Sequence, residues 1–413
     1  MQVNEWFVAI SVLLVLLWKV DFIATLLNLK SLGTPMPEEF REMLSEEEGE
    51  RSRDYTRARA NIGIGESFFS LVLLLAFWWL GGFGWLDEVV RGLGWGDIPH
   101  GIVYIATLAL ALQIAGLPFD VYDTFVLEER FGFNRTTPGT FVADFFKGLI
   151  LSAVLGLPLL AALLWLFAQV PFAWLWGWGL VTVFSLALAY VAPTWILPLF
   201  NKFTPLEEGE LKDEIHAMAD KCAFPLREVC VMDGSKRSSK ANAFFTGWGK
   251  NKRIALFDTL VENHTTPELV GVLAHEIGHF KKRHIVKSIV LSIVTTGMLF
   301  FLLGLMLENR GLFDAFGVGE TSVYVSLVLF GILIQPVNDL LSVLGNVLSR
   351  KHEFEADNFA ADATGEPGAL AEALRKLSRD NLSNLTPHPF YVFLNYSHPP
   401  VVDRIRRLKG VAA

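Results

Sequence analysis

The sequence predicts an all-α multi-span membrane protein, with seven transmembrane helices carrying a small α+β domain on one side of the bilayer. Three observations predict it. Apolar residues make up 52% of the 413-residue chain and charged residues only 19%, a balance that suits lipid better than water. Seven apolar stretches are long enough to cross a hydrocarbon core, which takes about 20 residues of helix. Lysine and arginine gather on one side of the alternation that these stretches impose.

The stretches run over residues 6–27, 62–80, 101–117, 148–170, 172–196, 285–307 and 322–344. Water is absent from the bilayer core, so each run must satisfy its own backbone groups and reads as a helix. The third is the shortest and meets Pro118 at its end, where neighbouring structure can supply the missing bond. The first lacks a basic leader and a small-residue cleavage site, so it reads as a retained anchor.

With the N-terminus outside, Lys30, Arg41, Arg51, Arg53, Arg57 and Arg59 fall on the inner side, as do Arg130, Arg135 and Lys147. Against these short inner loops the outer ones set Arg91 and Arg310. The bias places segment 201–284 and the C-terminus in the cytoplasm. Cys222 and Cys230 lie in that segment and are expected as free thiols. The net charge of -8 is mixed, Glu46, Glu47 and Glu48 sharing a loop with basic residues. No basic stripe forms, which excludes a nucleic-acid partner.

Segment 201–284 carries helical spacing at 211–222, then strand patterns at 227–232, 241–246 and 253–257, the last two reading as a hairpin. It ends in His275-Glu276-Ile277-Gly278-His279, an H-E-x-x-H pattern on a predicted helix. A spacing of four stacks both imidazoles on one face, about 6 Å apart, within reach of one zinc ion. Glu276 then stands beside the open metal position, able to take a proton from water.

A catalytic zinc takes three protein ligands, so one is missing from the motif. Spans six and seven form an antiparallel hairpin that returns the chain to the same face near Arg350, where Glu353, Glu355 and Asp357 follow on a predicted helix over 347–363. Glu353 is the expected third ligand, and Asp357, four residues on, orients a ligating histidine. The chain thus divides into membrane helices one to five (1–200), the domain ending in the motif (201–284), helices six and seven (285–345) and a C-terminal segment bearing the third ligand (346–413), with a second helix at 366–379.

Several further blocks accompany the motif: Glu-Arg-Phe-Gly-Phe-Asn at 129–134, Leu-Pro-Leu-Phe-Asn-Lys-Phe-Thr-Pro-Leu at 197–206, Ser-Ser-Lys-Ala-Asn-Ala-Phe-Phe at 238–245, Glu-Phe-Glu-Ala-Asp at 353–357 and Ser-His-Pro-Pro at 397–400. In this order they resemble the type I CaaX prenyl endopeptidase family of integral-membrane zinc proteases. The resemblance implies one Zn2+ per chain and seven long helices enclosing a large water-filled chamber, capped by a zinc metalloprotease domain at the cytoplasmic side. It also implies Glu276 as general base, His275, His279 and Glu353 as zinc ligands, and Asp357 as an auxiliary acid.

By the same resemblance His398 stabilises the oxyanion and Arg404 lies near the site. Asn242 contacts substrate backbone, and an exposed strand edge there could align an extended peptide by β-augmentation. The implied partners are membrane lipid and a peptide or protein substrate, lipidated or not. His264, His284 and His352 read as structural or solvated, since His284 follows His279 by five residues and a continuing helix turns it off the metal-binding face. Glu66, Gln335, Asn338 and Asp339 line a wet chamber or bond between helices.

Two rivals share these features: a heat-shock-type membrane protease with fewer spans, and a transporter or channel whose His and Glu merely bind metal. The C-terminal Gly-Val-Ala-Ala lacks a dilysine-type retrieval signal, which favours a bacterial cytoplasmic membrane over the endoplasmic reticulum.

Overall fold

The computed structural model describes residues 2–246 and 252–410. Helix α1 (Glu5–Ser31) starts where the Asn4 side chain accepts from the Phe7 N–H at 3.0 Å, and the short α2 (Glu38–Arg41) follows. Helix α3 (Glu46–Trp79) opens with a capping box between Ser45 and Glu48, which satisfies two N-terminal donors at once. Its first half is charged and its second half is the second apolar stretch. After α4 (Gly82–Arg91), α5 (Asp97–Tyr122) runs through Pro118 and continues as a π-helical turn over Asp123–Glu128. The third stretch is therefore longer than its apolar run. Helices α6 (Pro138–Gln169) and α7 (Ala173–Val191) complete the first five spans.

Strands β1 (Phe203–Pro205), β2 (Leu226–Met232), β3 (Ala243–Thr246) and β4 (Lys252–Phe257) form one sheet in the order β1-β2-β4-β3. Strands β3 and β4 pair antiparallel, as the expected hairpin does, and the residues between them lie outside those described. Helix α8 (Glu210–Lys221) precedes β2, while α9 (Asp258–Asn263) and α10 (Thr266–Lys281) follow β4. Span six is α11 (His284–Met306); α12 (Arg310–Ala315) separates it from α13 (Val323–Thr364). Three helices close the chain, α14 (Pro367–Asp380), α15 (Pro389–Asn395) and α16 (Val401–Leu408).

Among the described residues six helices are long and apolar enough to cross a membrane, and α13, bent by 50° near Pro336, makes a seventh when its two parts are taken as one span. They do not form a solid bundle: none of the most apolar window of α3 or α7 is buried inside the protein, and only 17% of that of α1. Their apolar windows are therefore left largely outside the protein's packed interior, as suits helices bathed in lipid. Below the bend α13 leaves the apolar run and continues unbroken past Glu353, so the division drawn at 345 and 346 falls inside one helix.

The two largest packed clusters among the described residues hold the helices together. At the far end α4 and α12, which hydropathy did not reveal, seal the helices: Trp78 stacks on Phe316 at 4.2 Å and the Tyr324 hydroxyl donates to Asp87 at 2.5 Å. At the other end the sheet, α2, α8, α10, α14 and α16 share a core that includes Phe40, Ile215, Leu256, Leu273, Ile277 and Ile405.

Helix α10 is fixed from three directions. Thr265 and Glu268 form a capping box at its start, and Glu268 also pairs with Lys376 of α14 at 2.8 Å. Gly278 faces α13 so closely that a Cβ would lie 3.1 Å from both Cα and O of Ala356. That contact sets the distance between the helix bearing the two motif histidines and the one bearing Glu353.

Candidate metal centre and active site

His275 and His279 point Nε2 at each other across 3.1 Å. The Glu353 carboxylate meets both, Oε2 lying 3.4 Å from His275 Nε2 and Oε1 3.3 Å from His279 Nε2. One ligand atom from each residue falls within 4.8 Å of the others. Metal–ligand bonds of 2.0–2.1 Å at a tetrahedral ion put neighbouring donors about 3.3 Å apart, so the two imidazoles are spaced to share a divalent cation and each has one Glu353 oxygen at that spacing. The surroundings of Glu353 add to the fit: its buried Oε2 makes no hydrogen bond and meets His275 only at 3.4 Å and Arg404 only at 3.5 Å, long contacts that a cation would improve on. Two nitrogens and a carboxylate oxygen are the donor set that zinc accepts.

The outward faces of the two rings are held differently. His275 Nδ1 lies 2.8 Å from Asp357 Oδ1, and Arg404 grips the same carboxylate through Nε at 2.8 Å and a second nitrogen at 2.6 Å. Burial by itself would lower the basicity of His275, yet the neighbouring carboxylates of Asp357 and Glu353 hold it up at about 9. Burial pushes the Glu276 carboxyl above its ordinary range, the direction that suits a base working near neutral pH.

His279 Nδ1 faces His284 Nδ1 at 3.0 Å, and His284 Nε2 in turn faces Glu355 Oε2 at 3.0 Å. His284 thus lies off the metal-binding face, as expected, but for a different reason from a turn of continuing helix. Helix α10 does not continue: Arg283 adopts a left-handed conformation (φ 57) and α11 starts afresh at His284, which swings the ring back toward His279. His264, His284 and His352 are all buried, so of the two expected roles the structural one stands and solvation does not.

The structure gathers His275, His279, Glu353, Asp357 and Arg404 within bonding range. His398 stands at the rim, its side chain 64% exposed and Nε2 3.5 Å from Glu353 Oε1. Arg404 is buried with its guanidinium committed to Asp357 and, at 3.5 Å, to Glu353. Asn242 bonds within the sheet, its side-chain oxygen accepting from the Ala243 N–H at 2.8 Å and its carbonyl from Phe257. Gln335 and Asp339 bond each other within α13 at 2.8 Å, and Glu66 is exposed.

A cavity of 580 Å³ opens beside His398 and Arg404 and is lined by Asn381, Asn384 and Tyr396. Those three also line a second cavity of 520 Å³, which reaches Asp21 of α1 and Arg59 and Ser67 of α3. The two cavities thus share part of their lining, and the second lies between membrane helices α1 and α3.

Residues 25–202 match the family model of the CAAX prenyl protease N-terminal region, with five membrane helices, and residues 205–412 match peptidase family M48. The chain is 35% identical to a CAAX prenyl protease 1 homolog of Arabidopsis thaliana, over 93% of this chain and 92% of that protein. It is 34% identical to CAAX prenyl protease 1 of Saccharomyces cerevisiae, over 92% and 89%. The crystal structure of S. mikatae Ste24p superposes with a TM-score of 0.92 at 33% identity, covering 99% of this chain and 100% of that one.

The five-helix N-terminal match sets the chain apart from the shorter heat-shock type, and the peptidase match from a metal-binding transporter. These relatives are eukaryotic and give the expected bacterial membrane no support. With its membrane helices and its His and Glu cluster, this chain belongs to the CAAX prenyl protease family of M48 metallopeptidases, as a multi-pass integral membrane protein.

Proposed function

We propose that the chain is a zinc endopeptidase that removes C-terminal tripeptides from CaaX proteins, prenylated ones included, with its active site facing the cytoplasm. The observation that carries this reading is the convergence of His275, His279 and Glu353, close to a cavity at His398 and Arg404 that shares lining residues with a second one between α1 and α3. Such an arrangement suits a substrate whose lipid tail stays at membrane level while its peptide reaches the metal. The lysine and arginine bias supports the orientation.

His275, His279 and Glu353 hold the ion. The chemistry a bound zinc supplies is Lewis acidity at the scissile carbonyl and a lowered pKa for the attacking water. Glu276 takes the water's proton and later delivers it to the leaving amine. His398 donates from Nε2 to the developing oxyanion. Asp357, itself held by Arg404, keeps His275 in the tautomer that frees Nε2 for the metal.

Substrate backbone is aligned by β3, an edge of the sheet. The Asn242–Phe257 bond and the β3–β4 register turn the Phe244 amide groups toward β4 and leave those of Ala243 and Phe245 at the open edge. Asn242 caps the Ala243 N–H there and can exchange that bond for one to substrate. Asn242→Ala is expected to raise KM roughly 2- to 12-fold, the worth of one hydrogen bond of about 0.5–1.5 kcal/mol, with kcat little changed. An unchanged KM in steady-state assays would remove Asn242 from the binding edge.

The deciding experiment compares a farnesylated CaaX peptide with its unlipidated twin, using the full chain in detergent. Cleavage of the prenylated peptide three residues from its C-terminus is expected, abolished by chelation and restored by zinc. Cleavage that survives complete metal removal, or occurs at scattered internal sites regardless of the CaaX end, would refute the reading.

A further inference from the structure

We infer that His284 and Glu355 form a positioning relay that fixes the tautomer and orientation of His279 for metal binding, a role separate from that of Asp357 on His275. The inference rests on His279 being a metal ligand through Nε2. A neutral imidazole that gives Nε2 to a metal must carry its proton on Nδ1. In this structure the only group facing His279 Nδ1 at hydrogen-bond distance, among the described residues, is His284 Nδ1 at 3.0 Å.

Two Nδ1 atoms cannot both donate across that gap. The protonated partner is His279, so His284 accepts at Nδ1 and carries its own proton on Nε2. That nitrogen lies 3.0 Å from Glu355 Oε2, an acceptor that matches. Each donor thus meets an acceptor from the metal ligand outward, and one tautomer of His284 satisfies the whole chain.

Other contacts hold the relay in place. The His284 ring is stacked on His352 at 4.0 Å with an interplanar angle of 13° and is almost wholly buried. The left-handed turn at Arg283 brings it back over His279. Packing alone does not account for the arrangement, because stacking on His352 sets the plane of the ring and not which of its nitrogens meets His279. The two ligating histidines therefore have unlike supports, an arginine-held carboxylate behind His275 and a neutral imidazole backed by a carboxylate behind His279.

The test reads zinc affinity of the full-length chain in detergent, by competition with a chromophoric chelator at one fixed pH, and needs no substrate. His284→Phe keeps a stacking ring but offers His279 no acceptor, and is expected to weaken zinc binding about 10- to 100-fold. His284→Asn places an amide oxygen where Nδ1 stood and is expected to restore most of that loss. Glu355→Leu, at a position whose side chain is 32% exposed and so tolerant of change, should weaken binding in the same direction as His284→Phe.

Zinc affinity unchanged in His284→Phe, or equally poor in the Asn and Phe variants, would overturn the relay. His279→Ala separates the two readings. If it binds zinc like the parent, the ligand set itself fails; if it loses zinc while His284→Phe does not, the ligand set stands and only the relay falls.

Discussion

Replacing Glu276 by glutamine is expected to leave the metal content of the purified chain unchanged and to lower peptide turnover about 10²- to 10⁴-fold. The side chain is not among the groups that converge on the metal position, which are His275, His279 and Glu353, so its charge is not needed to retain the ion. The proposed role as base rests on its proton affinity. Burial raises that affinity above the ordinary carboxylate value, and an amide of the same shape cannot accept the proton of the attacking water. Metal analysis and single-turnover cleavage of the same preparation check both halves of the statement. A glutamine variant with near-parental turnover removes Glu276 as the base.

The second large effect is expected at a residue with no side chain. Gly278→Val should strip the chain of metal affinity by two orders of magnitude or more while leaving it folded in the membrane. A Cβ at 278 would lie 3.1 Å from Ala356 Cα and O and 3.2 Å from a Phe359 ring carbon, so α10 and α13 must move apart. Such overpacking costs about 1–3 kcal/mol, but the functional penalty is geometric. Glu353 lies one turn from Ala356, and its carboxylate is 3.3–3.4 Å from both imidazoles only because the two helices touch.

Gly271→Val is the control. Its Cβ meets the Leu370 backbone at 3.2 Å, on α14 and away from Glu353, so it should lower thermal stability without comparable metal loss. Equal metal loss in the two variants would mean that general unfolding, and not helix separation at the site, is responsible.

Much of the site could be read from order alone because its parts repeat at helical spacing. His275 and His279 share one helix, and so do Glu353 and Asp357, and the hairpin of spans six and seven brings the two helices to one face. Arg404 was expected near the site, but the residue it grips depends on where α16 packs. What His284 touches could not be read for a single reason: periodicity assumes that a helix goes on, and a left-handed residue at Arg283 ends it. A non-glycine residue in that conformation leaves no mark in the hydropathy pattern.

By itself the sequence determined the seven spans, the paired histidines with their glutamate, and the lopsided placement of positive charge. Lipid leaves a backbone no partner but itself, and a repeat of four leaves two imidazoles no choice of face. The tertiary structure alone decided which faces of α1 and α3 line a cavity, the far-end seal built on Trp78 and Phe316, and the supports behind each ligating ring. An apolar side chain facing lipid and one facing a cavity look alike in sequence, and contacts such as Asp87 with Tyr324 join residues 237 positions apart. Those features exist only once the helices have been set side by side.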